Sequence, residues 1–473
     1  MATETLSPPV PEPAIAPETS PLVPPDVRMG EGKALRTAIP REKLGWWKHD
    51  AHRKDPIAIL RESDRERIPE LVPIRYGRML QSPFAFYRGS AAVMAEDLSH
   101  APTTNLRVQA CGDCHLANFG GFATPERNVI FDINDFDETL PAPWDWDVRR
   151  LVASFVLAAR SRDLTEKQGR RAAVACARSY RENMQEFSEL DPLRLWYSRM
   201  SSDDFVESLP SDRRKYARKG IKKALARGGS ELAYPKLADA VGGQIHIKDQ
   251  PPLIFHPAGT WTHESWKSVE AILHGYRETL TEERRALLDR YRLVDVAIKT
   301  VGIGSVGTWC SIALLMSERN SPLFLQVKEA KASVLEPFAG KSIYPHHGQR
   351  VVMGQRLMQP ASDLFLGWMT GRAGRHLYFR QLRDAKIKPQ IETFDPEMLD
   401  TYADACGWVL ARAHAKSSTI SPTITGYLGS NDEFDEAMGD FAVAYADQAE
   451  KDHAALKAAV HKGTIVAQEQ EGE

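Results

Sequence analysis

Apolar residues along this chain follow two rhythms, and the change from one to the other organises it. Over 89–98 they recur at helical spacing, and Leu106-Arg107-Val108-Gln109-Ala110 then alternates as a short strand does. Residues 128–132 read as another strand, which runs into the acidic turn Asn134-Asp135-Phe136-Asp137-Glu138. Between about 148 and 187 the helical period returns, carried by Leu151, Phe155, Leu157 and Ala158, and beyond Asp163 by Ala172, Val174, Ala175 and Tyr180. That pattern predicts two helices. Residues 271–299 are again helical in pattern. Residues 300–334 differ, being rich in Gly, Val, Ile, Leu and Phe with a period of two, and Leu377-Tyr378-Phe379 suggests a further strand. The chain returns to helix over 396–417 and 432–462. No tandem repeat is visible, and the pattern predicts an α+β protein with one small sheet inserted late.

The first 25 residues hold eight prolines among Ala, Glu, Ser and Thr, a composition too poor in apolar surface to offset chain ordering. Residues 1–37 are therefore expected to be a disordered tail. Residues 41–88 read as an irregular wrap with short helices.

Composition narrows the function classes. Over 473 residues, 61 Lys and Arg against 63 Asp and Glu leave a net charge of −2, which argues against a basic nucleic-acid coat. No run reaches the roughly 20 apolar residues of a membrane span, and the N-terminus lacks the layout of a signal peptide. The expectation is a soluble, cytoplasmic protein with no membrane partner. Cys111, Cys114, Cys176, Cys310 and Cys406 are too scattered for a disulfide framework, so reduced thiols are expected. Oligomeric state is not readable.

The densest chemistry lies in Cys111-Gly112-Asp113-Cys114-His115-Leu116-Ala117-Asn118. Its C-x-x-C-H spacing is that of c-type haem attachment, which needs an export context. Asp113 and His115 also form the D-x-H opening of a metallophosphoesterase, but the Asn-His pair expected later is absent. A phosphotransferase reading uses more of the residues. Kinase-type chemistry needs an Asp to accept the proton of the attacking hydroxyl, an Asn on the same loop for Mg²⁺, and a second Asp beyond a short hairpin to bridge metal and phosphates. Asp113 and Asn118 have the D-x-x-x-x-N spacing, and Asp135 follows a strand where the second Asp belongs. Asp132 rivals Asp135 as metal ligand by its distance from Asn118. Each residue alone has an ordinary explanation, since Asp after Gly forms turns and Asn caps helices. Together, Gly112-Asp113-x-His115-x-x-Asn118 resembles the G-D-x-H-x-x-N loop of aminoglycoside and choline phosphotransferases, which implies catalytic roles for Asp113 and His115.

Such an enzyme also needs a glycine-rich turn and a strand lysine for the nucleotide phosphates. Neither stands upstream of Asp113. Downstream, Val301-Gly302-Ile303-Gly304-Ser305-Val306-Gly307-Thr308 offers Gly302, Gly304, Ser305 and Gly307, and Leu323-Phe324-Leu325-Gln326-Val327-Lys328-Glu329 is a strand bearing Lys328 that looks like the kinase V-A-I-K strand. The implied fold is a protein-kinase-like two-lobe architecture in circularly permuted order. Residues 38–295 would form the N-terminal segment and the helical large lobe with its catalytic loop, 296–392 the small nucleotide-binding β lobe, and 393–473 the helices completing the large lobe. Lys328 and Asp135 are then expected to meet across a cleft. The usual acidic partner of that lysine is not evident, since Glu336 precedes a proline and the helix expected over 347–359 offers Gln349 and Gln355 instead.

Further runs, from Arg67-Ile68-Pro69-Glu70-Leu71-Val72-Pro73 to Phe86-Tyr87-Arg88-Gly89, with Asn134-Asp135-Phe136-Asp137-Glu138-Thr139, Trp144-Asp145-Trp146-Asp147, Gln349-Arg350-Val351-Val352 and Arg380-Gln381-Leu382-Arg383-Asp384, resemble a bacterial family known as domain-of-unknown-function family 2252 over about 45–460. Trp144 and Trp146 are expected as packing anchors, with Asp147 tying the catalytic loop. The basic stretch 213–227 reads as a solvated helix face, with polyanion binding as the alternative, and Arg88 is read as a phosphate contact or an ion pair. The expected function is an ATP- and Mg²⁺-dependent phosphotransferase acting on a hydroxyl, of a small molecule ahead of a protein. The alternatives are a nucleotide-binding regulatory pseudokinase and a metal-dependent phosphoesterase.

Overall fold

A computed structural model describes residues 23–48, 52–226, 230–241, 244–251, 253–256, 263–299, 306–382 and 386–468. Four helices build the larger core: Trp144–Arg160, Glu166–Glu189, Pro396–Lys416 and Glu433–His461. Their apolar stripes supply Leu151, Phe155, Ala172, Tyr180, Leu410 and Phe441, all fully buried. The second helix begins with a capping box between Thr165 and Gln168, and the third with Asp395 accepting from the Met398 amide at 2.8 Å. Helices that lie 250 residues apart in sequence therefore share one core.

Two hairpin-like pairs stand on this helical body. Strands Arg107–Ala110 and Val129–Ile133 stand where 106–110 and 128–132 lead one to expect them, and they pair with Leu140–Pro143 and Phe119–Ala123, which the sequence pattern does not signal. The connections between them carry residues 111–118 and the acidic turn 134–138. Short helices at Pro56–Asp64, Val72–Met79, Pro83–Gly89 and Ala91–Ser99 form the wrap before them.

The late β block is a six-stranded antiparallel sheet in the order Gly367–Thr370, His376–Gln381, Pro322–Glu329, Cys310–Ser317, Tyr291–Lys299, Ile254–Phe255. Cys310 lies opposite Lys328 in its register. A separate apolar cluster containing Tyr276, Val296, Leu315, Leu325 and Phe379 fills one side. The architecture is thus mixed α+β, with small antiparallel sheets beside a helical body.

Two expectations are corrected. Residues 271–299 are not all helical: helices His263–Arg277 and Glu282–Leu288 are followed by the strand Tyr291–Lys299. A boundary at 295/296 would cut this strand, which pairs with Cys310–Ser317. Second, Pro25–Ala38 is a helix within the segment expected to be disordered. Proline at its first position costs nothing there, and small residues let it approach Ser421–Leu428. A Cβ on Gly32 would lie 1.9 Å from the Thr423 carbonyl oxygen, and one on Gly426 would lie 2.0 Å from that of Met29. The rest of the expected tail, 1–22, lies outside the described residues.

The basic stretch forms the helix Ser211–Ala226, where Arg214 and Arg218 pair with Glu207 and Arg213 with Asp395. Among the described residues no helix is long and apolar enough to cross a membrane.

Candidate functional site

Gly112 turns the chain at φ +82°, and a Cβ there would sit 2.4 Å from the Glu138 carbonyl oxygen. Only glycine fits this approach of the 111–118 loop to the backbone of the acidic turn. Asp147, in the first turn of Trp144–Arg160, fixes the loop from below: its Oδ2 accepts from the Cys111 amide at 2.7 Å and its Oδ1 from the Gly112 amide at 3.0 Å. The same Oδ2 lies 3.2 Å from Nε2 of His414, whose Nδ1 is 2.9 Å from the Tyr180 hydroxyl. Trp144 stacks on Tyr180 with centroids 5.6 Å apart. Trp144 and Trp146 are packing anchors and Asp147 is a tie, as expected. The thiols of Cys111 and Cys114 lie within 4.8 Å of the Asp147 carboxylate. Burial pushes both thiols up, Cys114 to about 12, and the carboxylate is committed to backbone amides, so the group reads as packed core.

Arg150, on the same helix, donates to Asp113 Oδ1 from Nε at 2.7 Å and from Nη2 at 2.5 Å. It also lies over the Tyr87 ring at 4.5 Å and donates to the Tyr87 carbonyl at 3.0 Å. Asp113 Oδ2 faces His115 Nε2 at 3.8 Å. Burial raises the Asp113 carboxyl, against the pull of Arg150 and Arg88. Burial and the same two arginines hold His115 well below its ordinary value, so it is neutral. Asn118 donates from Nδ2 to the Asp113 carbonyl at 2.7 Å, and its own carbonyl accepts from the Asn134 amide at 2.8 Å. Loop and acidic turn are therefore one unit, and Asn118 Oδ1, its metal-competent atom, is not used in these bonds.

Of the two rival acids, Asp132 is not part of this group. It is 1% exposed on its strand and pairs with the fully buried Arg412 at 2.6 Å. Asp135 and Asp137 stand together, the Asp137 amide donating to Asp135 Oδ1 at 3.2 Å. Lys328 pairs with Asp137, and the Tyr378 hydroxyl donates to Asp137 at 2.5 Å. Burial would raise both acids, but Lys328 and Tyr378 hold Asp137 well below the usual range. Asp135 is raised by burial and by Asp137, with the charges of Lys328 and Arg380 opposing. Neighbouring carboxyls pushed apart in this way mark a site built for charge chemistry.

The loop of Asp113 and the strand of Lys328 thus converge, although 215 positions separate the two residues in the chain. The direct partner of Lys328 is Asp137, two residues beyond the one expected. Neither Glu336, Gln349 nor Gln355 pairs with it. The helix His347–Met358 contributes Arg350 instead, which donates to the carbonyls of Asp137 at 2.8 Å, Thr139 at 2.6 Å and Lys331 at 2.8 Å. Gly307 turns at φ +90° and its carbonyl accepts from the Ile68 amide at 2.7 Å. Gly302, Gly304 and Ser305 lie outside the described residues.

Arg150, Asp137, Tyr378, Arg350 and Arg380 were not among the candidates. A helical arginine three residues after Asp147, on nearly the same face, was the available signal for Arg150.

The start of the Arg350 helix yields a prediction. His346 Nδ1 accepts from the Gln349 amide at 3.2 Å, and its ring stacks on His376 at 4.0 Å. Burial and His376 push His346 down to about 4. A histidine depressed in the folded state contributes stability above its unfolded value of about 6.5, and this is lost as pH falls toward 4. His346→Asn, which keeps a cap acceptor without the titration, should flatten the decline in Tm between pH 7 and 4.5. An unchanged slope would remove His346 from the acid response.

Residues 67–459 match the model of a family described as an uncharacterized protein conserved in bacteria (DUF2252), and the chain belongs to that family. No curated protein and no solved structure matches it.

Proposed function

We propose that this DUF2252 protein is a phosphotransferase of kinase-like, circularly permuted design, which uses ATP and Mg²⁺ to phosphorylate a hydroxyl group. The observation that carries the reading is the seating of Lys328 on Asp137, beside Asp135 and within the unit that holds Asp113 and Asn118. Phosphoryl transfer is mainly positioning and charge neutralisation, and it needs these groups in one place. The meander Tyr291–Lys299, Cys310–Ser317, Pro322–Glu329 puts Gly307 in its first connection and Lys328 near the end of its third strand, where a kinase carries its lysine. The helix Pro396–Lys416 brings His414 onto Asp147 beneath the loop, which supports a large lobe completed from the C-terminal side.

The donor set suits a hard cation: the carboxylates of Asp135 and Asp137 and the amide oxygen of Asn118. Mg²⁺ held there would neutralise phosphate charge. Asp113 is the proton acceptor for the attacking hydroxyl at Oδ2, the oxygen that Arg150 leaves unbonded. Arg150 fixes its orientation. His115, held well below its ordinary value by burial and the two arginines, stands 3.8 Å from that oxygen without competing for the proton.

A regulatory, non-catalytic reading is favoured by one feature, the Arg150 grip on Asp113, which restrains its basicity. Both readings require nucleotide binding. ATP with Mg²⁺ at about 100 times Kd stabilises by about 2.7 kcal/mol and should raise Tm by several degrees. Transfer of the γ-phosphoryl group from labelled ATP to an acceptor separates enzyme from regulator. An unchanged Tm at millimolar nucleotide and metal would sink both.

A further inference from the structure

Beside the acidic turn lies a narrow cleft lined by Asn134, Gln355, Gln359, Asp363, Arg380, Gln381 and Lys386, with Phe122 and Ala123 as its apolar floor. Its free volume is about 40 Å³. One water needs roughly 10–15 Å³ measured this way, and a pocket that encloses a whole cofactor about 300 Å³ or more. The cleft accepts a group the size of a phosphoryl and excludes a purine.

Its lining is not that of a nucleobase slot. Two cations and four carboxamide side chains converge on it. Arg380 donates from Nε to Gln326 at 2.9 Å and from Nη1 to the Asn134 carbonyl at 3.5 Å, leaving Nη2 without a partner among the described residues. Lys386 has no ion-pair or hydrogen-bond partner among them either. The acid in the lining, Asp363, accepts from the amides of Phe365 and Gln381. Arg380 and Lys328 repel the Lys386 ammonium while Asp135 and Asp363 attract it, and the exposed side chain keeps its charge in contact with solvent. Arg380 Nη2 and the Lys386 ammonium thus line one cleft with charged donors that make no hydrogen bond to a described residue, the kind of donor a phosphate oxygen takes up.

We propose that Arg380 and Lys386 form a second anion subsite in this cleft, adjoining the Lys328–Asp135–Asp137 group, and that its ligand class is a linear polyphosphate. The proposal rests on the phosphotransferase reading and sharpens it: the donor's phosphates run from Lys328 toward Lys386. A nucleoside triphosphate and free inorganic polyphosphate share this chemistry, and the experiment separates them.

The test is calorimetric titration of the full-length protein with inorganic tripolyphosphate, ATP and orthophosphate, each with and without Mg²⁺, on the wild type, Lys386→Gln, Arg380→Gln and Asp135→Asn. Lys386 is exposed, so its variant folds. A circular-dichroism melt checks Arg380→Gln, which loses the Gln326 contact. Tripolyphosphate should bind the wild type, with a loss of roughly tenfold in either cation variant, by the 1.4 kcal/mol per decade expected of one charge-assisted contact. ATP should weaken in parallel if the nucleotide tail is the natural ligand. ATP that does not bind beside tight tripolyphosphate would assign the free polymer.

Retention of ATP and tripolyphosphate affinity in both cation variants would overturn the subsite, while Mg²⁺-dependent binding lost in Asp135→Asn would leave the phosphotransferase reading intact. The reverse pattern, polyphosphate binding that needs Arg380 and Lys386 but ignores Mg²⁺ and Asp135, would uphold the subsite and overturn the metal reading. No binding of any phosphate would end both.

Discussion

Asp132→Ala is expected to cost about 3–5 kcal/mol of stability, because it leaves the fully buried Arg412 guanidinium without its counter-charge. Burial raises Asp132 to about 6 in spite of Arg412, and burial also lowers Arg412, so desolvation exceeds attraction for both partners. The sign follows. A carboxyl raised from about 3.9 to about 6 on folding contributes most below the lower value, and that contribution is lost as pH rises through the higher one. The pair is thus expensive to break from one side and cheap to replace from both. Asp132→Leu with Arg412→Met should recover most of the loss, giving a large coupling energy in a double-mutant cycle read by urea denaturation. Asp135→Ala should behave differently, since it removes a carboxyl crowded against Asp137, leaving Tm near the wild type and abolishing metal-dependent nucleotide binding. A folded Asp132→Ala protein with lost Mg²⁺ affinity would reverse the assignment of the two acids.

The reason Asp132 and Asp135 look interchangeable in sequence is physical. Both are acids at the end of one strand, and spacing from Asn118 favours the one that packs inward. Burial on both faces of Val129–Ile133 turns Asp132 toward Arg412 on a helix 280 positions away, a contact no local pattern contains. The helix pair after Asp147 was legible because it carries a long helical period, and the strand at 107–110 because it alternates. Tyr291–Lys299 was misread because the strand starts directly after a short helix, so Leu293 and Val296 extend its apparent period. Pro25–Ala38 was missed because its stabilisation comes from backbone-close packing at Gly32 and Gly426, with little apolar surface to signal it. Within the site, Asp113, Asn118, Asp135 and Lys328 could be nominated from spacing. Beyond the helical signal for Arg150, their partners could not, since Tyr378 and Asp137 acquire roles only when two distant segments meet.

Asp113→Asn is expected to cut turnover by about 10²–10⁴-fold while nucleotide affinity stays within a few-fold, the loss typical of a general base that acts only in the transition state. The amide keeps the size of the side chain and a carbonyl oxygen for Arg150, so loop geometry should persist through Asp147 and Gly112. Burial raises the Asp113 carboxyl above the ordinary carboxylate range, and Arg150 opposes that rise. The acid limb of the pH–rate profile should therefore lie above about 4, with activity gained as Asp113 loses its proton. Arg150→Gln removes the opposing charge, so its acid limb should move to still higher pH, with the loss of activity greatest on the acid side and recovering as pH rises. A structural role for Arg150 alone would lower kcat equally at every pH. Equal losses of nucleotide binding and turnover in Asp113→Asn would instead group Asp113 with Asp135 as a metal ligand and leave the proton acceptor to be sought elsewhere in the cleft.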